Sequence, residues 1–200
     1  REFDTVEKKF VQNGFSLPEG KHRLAWMDND TILVATDFGP GTLTESGYPY
    51  IVKALNRGQK LANAVEVFKG SARDGGYGVS ADVMRSSSGQ VVAVIISRPL
   101  DTFRQETYEL VGVRPVKLDL PQRVTVRGVL SNGPPRLVFS VEEAWRINNT
   151  TAPAGALMAV PMGMLKPPPP GVGMVLTTKD ISIFEPTSRQ SVEEVAVFDD

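Results

Sequence analysis

Apolar positions along this chain recur with period two or in short unbroken blocks, not at helical spacing, so the pattern predicts strands almost throughout. Phe3, Val6 and Phe10 flank the charged Glu7-Lys8-Lys9 and read as one solvated strand; Asn13-Gly14 then signals a turn. His22 to Met27 reads as a strand, Asp28-Asn29-Asp30 turns the chain, and Thr31 to Thr36 returns as the other arm of a hairpin. Tyr50 to Asn56 and Ala64 to Lys69 follow, with a helical turn at Leu61-Ala62-Asn63-Ala64 between them. A second set comprises Tyr77 to Met84, Val91 to Ser97, Thr107 to Val111 and Pro115 to Leu120, with Ser86-Ser87-Ser88-Gly89 turning its first hairpin. A third comprises Val124 to Leu130, Arg136 to Val141, Gly155 to Val160 and a strand near Ile181-Ser182-Ile183-Phe184, with Asn132-Gly133 as a turn. Val192 to Phe198 reads as the opening strand of a further unit.

The prediction is therefore an all-β chain of about three four-stranded antiparallel units, over 22–69, 77–120 and 124–184, with 1–11 and 191–200 as strands of adjoining units. The units recur at about 45–60 residues, the size of β-propeller blades, and imply a partial propeller. Fifteen Pro and eighteen Gly spread between short apolar runs suit such a turn-rich chain. The tract Lys166-Pro167-Pro168-Pro169-Pro170-Gly171 favours polyproline II and reads as a stiff surface loop rather than as a ligand for an aromatic groove.

Composition narrows the functions. The 200 residues are 41% hydrophobic, enough for a real core, and a net charge of −1 with no clustered basic excess argues against nucleic-acid binding. No apolar run is long enough for a membrane-spanning helix. Without cysteine, disulfides and thiolate chemistry are excluded, which leaves a cytoplasmic or a periplasmic setting open. Both ends fall beside strand-like sequence and read as cut from a longer chain.

Candidate chemistry is sparse. A serine triad needs a nucleophile, a histidine base and an orienting acid; the chain has one histidine, His22, between Lys21 and Arg23, and nothing matching Gly-x-Ser-x-Gly. His22 reads as a solvent-facing strand residue, and no catalytic residue is assigned. Asp37-Phe38-Gly39 matches the magnesium tripeptide of protein kinases only superficially, since neither the catalytic loop nor the strand lysine is present. Gly76-Tyr77-Gly78-Val79-Ser80-Ala81 fits a loose dinucleotide pattern, but strand-like sequence rather than a helix follows it, and a turn is expected. Asp28, Asp30 and Asp199-Asp200 are too scattered for a calcium loop, so no metal and no cofactor are expected. Trp26, Trp145 and Tyr48 read as aromatics packed between sheets rather than as a binding platform.

Two stretches carry a resemblance. Phe10-Val11-Gln12-Asn13-Gly14-Phe15-Ser16-Leu17-Pro18-Glu19-Gly20-Lys21 and Ala35-Thr36-Asp37-Phe38-Gly39-Pro40-Gly41-Thr42-Leu43-Thr44-Glu45-Ser46-Gly47-Tyr48-Pro49 resemble the non-catalytic propeller of bacterial prolyl-oligopeptidase-family serine peptidases. The likeness is strongest from Phe3 to about Phe68 and returns at Phe184-Glu185-Pro186-Thr187-Ser188-Arg189-Gln190-Ser191; Thr107 to Leu110 and Pro115 to Leu120 match an inner hairpin more loosely. The stretches around Ser71 to Gly78 and Ala144 to Gly173 depart from the pattern.

The resemblance implies a propeller that covers the active site of a separate, downstream α/β-hydrolase domain and limits access to short peptides, with the catalytic residues on that domain and not in this chain. It assigns no substrate-binding residue. A free-standing protein- or glycan-binding module is the rival expectation. Three blades cannot close the usual ring, so self-association is expected, through Phe3, Val6 and Phe10 at one end and Val195, Val197 and Phe198 at the other.

Overall fold

A computed structural model describes residues 1–147, 150–167 and 181–198. The strands are β1 (Phe3–Asp4), β2 (Lys9–Phe10), β3 (Arg23–Trp26), β4 (Thr31–Ala35), β5 (Ile51–Asn56) and β6 (Val65–Lys69), then β7 (Ser80–Arg85), β8 (Val91–Pro99), β9 (Gln105–Val111) and β10 (Arg114–Lys117). They continue as β11 (Val124–Leu130), β12 (Arg136–Val141), β13 (Trp145–Ile147), β14 (Thr150–Ala152), β15 (Leu157–Pro161) and β16 (Ser182–Phe184). Three four-stranded antiparallel sheets result, in the orders β3-β4-β5-β6, β7-β8-β9-β10 and β11-β12-β15-β16, and two small hairpins, β1-β2 and β13-β14. The all-β architecture read from the periodicity is the observed one.

The long apolar blocks are strands buried on both faces. In β4, Leu33 and Ala35 face the second sheet while Ile32 and Val34 face the segment that carries Phe15 and Leu17. In β8, Val94 and Ile96 turn to the first sheet and Ala93 and Ile95 to the third. The second sheet is therefore sandwiched, and the three sheets stack face to face. Phe139 of β12 is fully buried against Trp145, with ring centroids 5.4 Å apart in an edge-to-face pair. Burying a side chain of that size contributes about 1.5–3 kcal/mol. The first strands of successive sheets are neighbours: β3 lies against β7, and β7 against β11.

Three local readings are corrected. Residues 3–10 are a hairpin rather than one strand: the Asp4 carboxylate accepts hydrogen bonds from the Val6 and Glu7 amides, both at 2.9 Å, and Lys8 takes a positive φ of 53°. The turn folds Phe3 onto Phe10, ring centroids 5.3 Å apart. Residues 191–198 form no strand. Val195 and Val197 instead pack on the outer face of the third sheet with Leu130 and Phe184, and only Phe198 of the three expected apolar groups is exposed. Gly128, at a bulge in β11, makes room for this: a Cβ there would lie 2.9 Å from Val197. Finally, β13 and β14 form a hairpin between β12 and β15 that the periodicity does not announce. Pro168 to Gly171 of the proline tract and Asp199-Asp200 lie outside the described residues.

Candidate functional site

β3 and β5 are both antiparallel to β4, so the segments that lead into them come to the same end of the first sheet. Lys21 and His22 arrive there ahead of β3, which Arg23 opens, and Tyr48 and Pro49 ahead of β5. Tyr77, ahead of β7, completes a cleft of about 250 Å³ at the seam between the first and second sheets. Lys21 Nζ sits 3.6 Å from the centre of the Tyr48 ring, a cation–π contact, and the Tyr48 and Tyr77 rings meet edge to face at 5.7 Å. Gly78 packs behind Pro49. Its φ is +85°, a Cβ would meet the Pro49 carbonyl at 2.9 Å, and the next amide, Val79 N–H, donates to that carbonyl at 3.0 Å.

His22 is not the solvent-facing residue expected. It is half-buried, with Nδ1 2.7 Å from Thr36 Oγ1 and Nε2 2.7 Å from the Pro18 carbonyl. A carbonyl only accepts, so Nε2 carries the proton, and the Thr36 hydroxyl donates to Nδ1. Both ring nitrogens are thus used to clamp residues 18–22 onto the end of β4.

The loop after β4 is an ordered turn. Asp37 Oδ1 accepts from the Gly39 amide at 2.8 Å, and Thr42 Oγ1 accepts from the Phe38 amide at 2.9 Å and donates to the Gly39 carbonyl at 2.7 Å. Thr44 and Tyr48 close the second half, amide to carbonyl at 2.8 Å and amide to hydroxyl at 3.1 Å. Asp37 thus caps its own turn through the backbone. Gly76 and Gly78 lead by positive-φ turns straight into β7, so the loose glycine pattern opens a strand and no helix. Asp28 caps its own turn through the Asp30 amide, and Asp30 pairs with Arg57 at 3.1 Å. Trp145 is core, whereas Trp26 is 41% exposed and borders a groove of about 670 Å³ with Phe15, Leu17 and Leu24.

A third recess, of about 390 Å³, follows the first strands of the second and third sheets and includes Asp82, Gln105 and Arg127. Burial pushes the Asp82 carboxyl above its ordinary value, an effect that Arg23 opposes.

One charge network escaped the linear reading. Arg98 makes two hydrogen bonds to Asp74 and a third, through Nη1, to Glu106 Oε2 at 3.0 Å. Glu106 also accepts from the Tyr108 hydroxyl at 2.7 Å and pairs with Lys117. Asp74, foremost, pushes the Arg98 guanidinium above its usual range; Lys117, foremost, holds the Glu106 carboxyl below its own; and burial lifts the Tyr108 phenol. These five residues come from the inter-sheet loop and from three strands, at spacings that match no motif.

Comparison with known proteins decides where this architecture belongs. No family model matches. A protein named uncharacterized peptidase y4nA, from Sinorhizobium fredii, is 33% identical over 199 residues, covering 96% of this chain and 26% of that protein. The chain is a relative of peptidases. An uncharacterized peptidase of Rickettsia prowazekii is 26% identical to this chain over 172 residues, covering 80% of the chain and 23% of that protein. A solved structure described as a post-proline cleaving enzyme from Rickettsia typhi superposes with a TM-score of 0.75 at 24% identity, covering 94% of the chain and 28% of that enzyme, and shares its fold. The chain thus spans about a quarter of the length of each of these two curated proteins. The resemblance to the propeller region of prolyl-oligopeptidase-family peptidases, read from residues 10–21 and 35–49, agrees with all three matches.

Proposed function

We propose that this chain is a non-catalytic part of a β-propeller, one blade per four-stranded sheet, that belongs to a prolyl-oligopeptidase-like serine peptidase and controls which peptides reach a separate α/β-hydrolase domain. The observation that carries the reading is the coverage: nearly the whole chain aligns with peptidases, yet it accounts for only 26% and 28% of two of them. The stacking of three four-strand sheets with β3, β7 and β11 as neighbours supports blades set side by side around an axis. His22, the histidine a serine triad would require, has both ring nitrogens committed to Thr36 and Pro18. In this reading the chain supplies walls and charge at the entrance, and the bond-breaking groups lie elsewhere in the parent.

The test compares the purified chain with its full-length parent on a proline-containing chromogenic peptide, and the parent with a version lacking residues 1–200. The chain alone is expected to release no chromophore, and the shortened parent to lose its preference for short over long peptides. Turnover by the chain that a serine-directed covalent inhibitor abolishes, or an unchanged length preference after deletion, overturns the reading.

A further inference from the structure

We propose that the seam cleft between the first and second sheets binds the free carboxylate end of a short peptide; this rests on the peptidase-gating reading above and names the group the gate would recognise.

The charges in the cleft are not paired directly. Lys21 and Arg23 line it together, and among the described residues neither forms an ion pair with a carboxylate. Arg23 feels Asp82 only through space. The six residues around the cleft include no acid. By contrast, Arg57 is drawn into a bidentate contact by Glu2 and Arg98 by Asp74. A pair of cations left open at a rigid concave seam is a site with room for an incoming anion.

The rest of the cleft is pre-shaped. The Tyr48 ring holds the Lys21 ammonium at 3.6 Å from its centre, which fixes the charge while leaving N–H groups free to donate. Tyr48 and Tyr77 present ring surface at right angles, walls that suit the apolar side chain or ring of a terminal residue. Pro49 cannot shift easily, because Gly78 is packed on its carbonyl and the Val79 amide is bonded to it. His22 anchors the intervening backbone, so Lys21 and Arg23 are carried on a fixed segment rather than a free loop. At about 250 Å³ the cleft is smaller than the ~300–1,000 Å³ of pockets that engulf whole drug-sized ligands, and it fits the end of a peptide rather than its length. A carboxylate terminus offers two acceptor oxygens and one negative charge, the complement of what Lys21 and Arg23 present.

The experiment is a ¹H–¹⁵N titration of the full chain at low salt with the tripeptide Ala-Ala-Pro, its C-terminal amide, and inorganic phosphate. The free acid is expected to shift the amides of Lys21, Arg23, Tyr48 and Gly78, and to bind about tenfold or more tightly than the amide. The double variant Lys21→Gln/Arg23→Gln, which keeps the ring walls and both clamps on His22, is expected to lose that preference with an otherwise unchanged spectrum. Three results overturn the proposal: no shift at these residues, equal affinity for acid and amide, or phosphate binding as tightly as the peptide at the same residues, which would make the cleft a general anion site. None of these touches the length preference of the parent enzyme, so the gating reading stands or falls separately. If instead Gln replacement erased the fold's chemical-shift dispersion, Tyr77→Ala, which removes a wall and no charge, gives the second reading: weaker binding of the acid supports the cleft, and unchanged binding refutes it.

Discussion

Arg98 grips Asp74 with two parallel hydrogen bonds, Nη2 to Oδ1 at 2.7 Å and Nε to Oδ2 at 2.8 Å, and so ties the loop after the first sheet to the second strand of the next. Asp74 is itself bound into that loop, where its Oδ2 accepts from the Ser71 amide at 2.8 Å. Gly70 gives it space, since a Cβ there would stand 2.5 Å from Asp74 Oδ2. The two sheets are joined by charge as well as by their apolar core.

Arg98→Ala leaves Asp74 and Glu106, both largely buried, without their shared cation. The expected loss is on the order of 2–3 kcal/mol in urea unfolding, and Arg98→Lys, a point charge without the fork, recovers part of it. A loss below about 0.5 kcal/mol, the size of an ordinary surface substitution, would sink the idea.

Acid should weaken the fold through the same network. The Glu106 carboxyl is held low, first by Lys117, so its stabilisation is complete above the unfolded carboxylate value of about 4.3 and disappears as pH falls through the folded value. Asp82 works in the opposite sense: burial raises it, so its ionised form at neutral pH opposes folding. Stability is expected to hold from pH 7 to about 5 and to fall below. Glu106→Gln lowers the plateau and flattens the acid limb; Asp82→Asn gains stability at pH 7 and none at pH 3. Unfolding curves that keep the wild-type pH profile in both variants refute the assignment.

Gly128→Val should push the last described residues off the third sheet, because the added side chain takes the place of Val197. Limited proteolysis followed by mass spectrometry is expected to show faster cleavage within 191–198, with about 1 kcal/mol lost in overall stability. Cleavage at the wild-type rate contradicts the packing.

Phe3, Phe10, Leu24 and Trp26 are each between 41% and 53% exposed at one end of the molecule, beside the largest of the grooves described above. Light scattering over a dilution series is expected to show a concentration-dependent dimer, and Trp26→Glu to shift it to monomer. A monodisperse monomer at high concentration, with no dye-accessible apolar surface, decides against self-association.

The strands of the large sheets were legible mainly because apolar residues recur at alternate positions or in short blocks between Gly, Pro, Asn or Asp. The β1-β2 hairpin was not, because Thr5-Val6-Glu7-Lys8 has no glycine or proline and its turn is made by the Asp4 side chain. The arms of β13 and β14 are three residues each, too short for a period to register. The strand expected over 192–198 is not one, because recurring apolar residues cannot distinguish pairing into a sheet from lying across one; Gly128, nearly seventy residues earlier, makes the room for the second. The seam cleft left no trace in spacing, since Lys21, Tyr48 and Tyr77 belong to three separate approaches to strands. The clamp of His22 on Pro18 and Thr36 left no trace in the sequence either, because it depends on a turn that only the folded chain supplies.

The strand order has a kinetic consequence. In the first two large sheets every strand pairs with its neighbour in the chain, so each can zip up from hairpins with little loop to close. The third cannot: β15 must reach β12 past an inserted hairpin, and β16 joins from beyond residue 180. A ribosome delivering this chain from its amino end would release two finished sheets while Ala93 and Ile95 still faced water, waiting for Leu137, Phe139 and Met158 to cover them. That interval is when the molecule is most open to aggregation, and a synonymous change that slows translation there would lengthen it without altering a single residue.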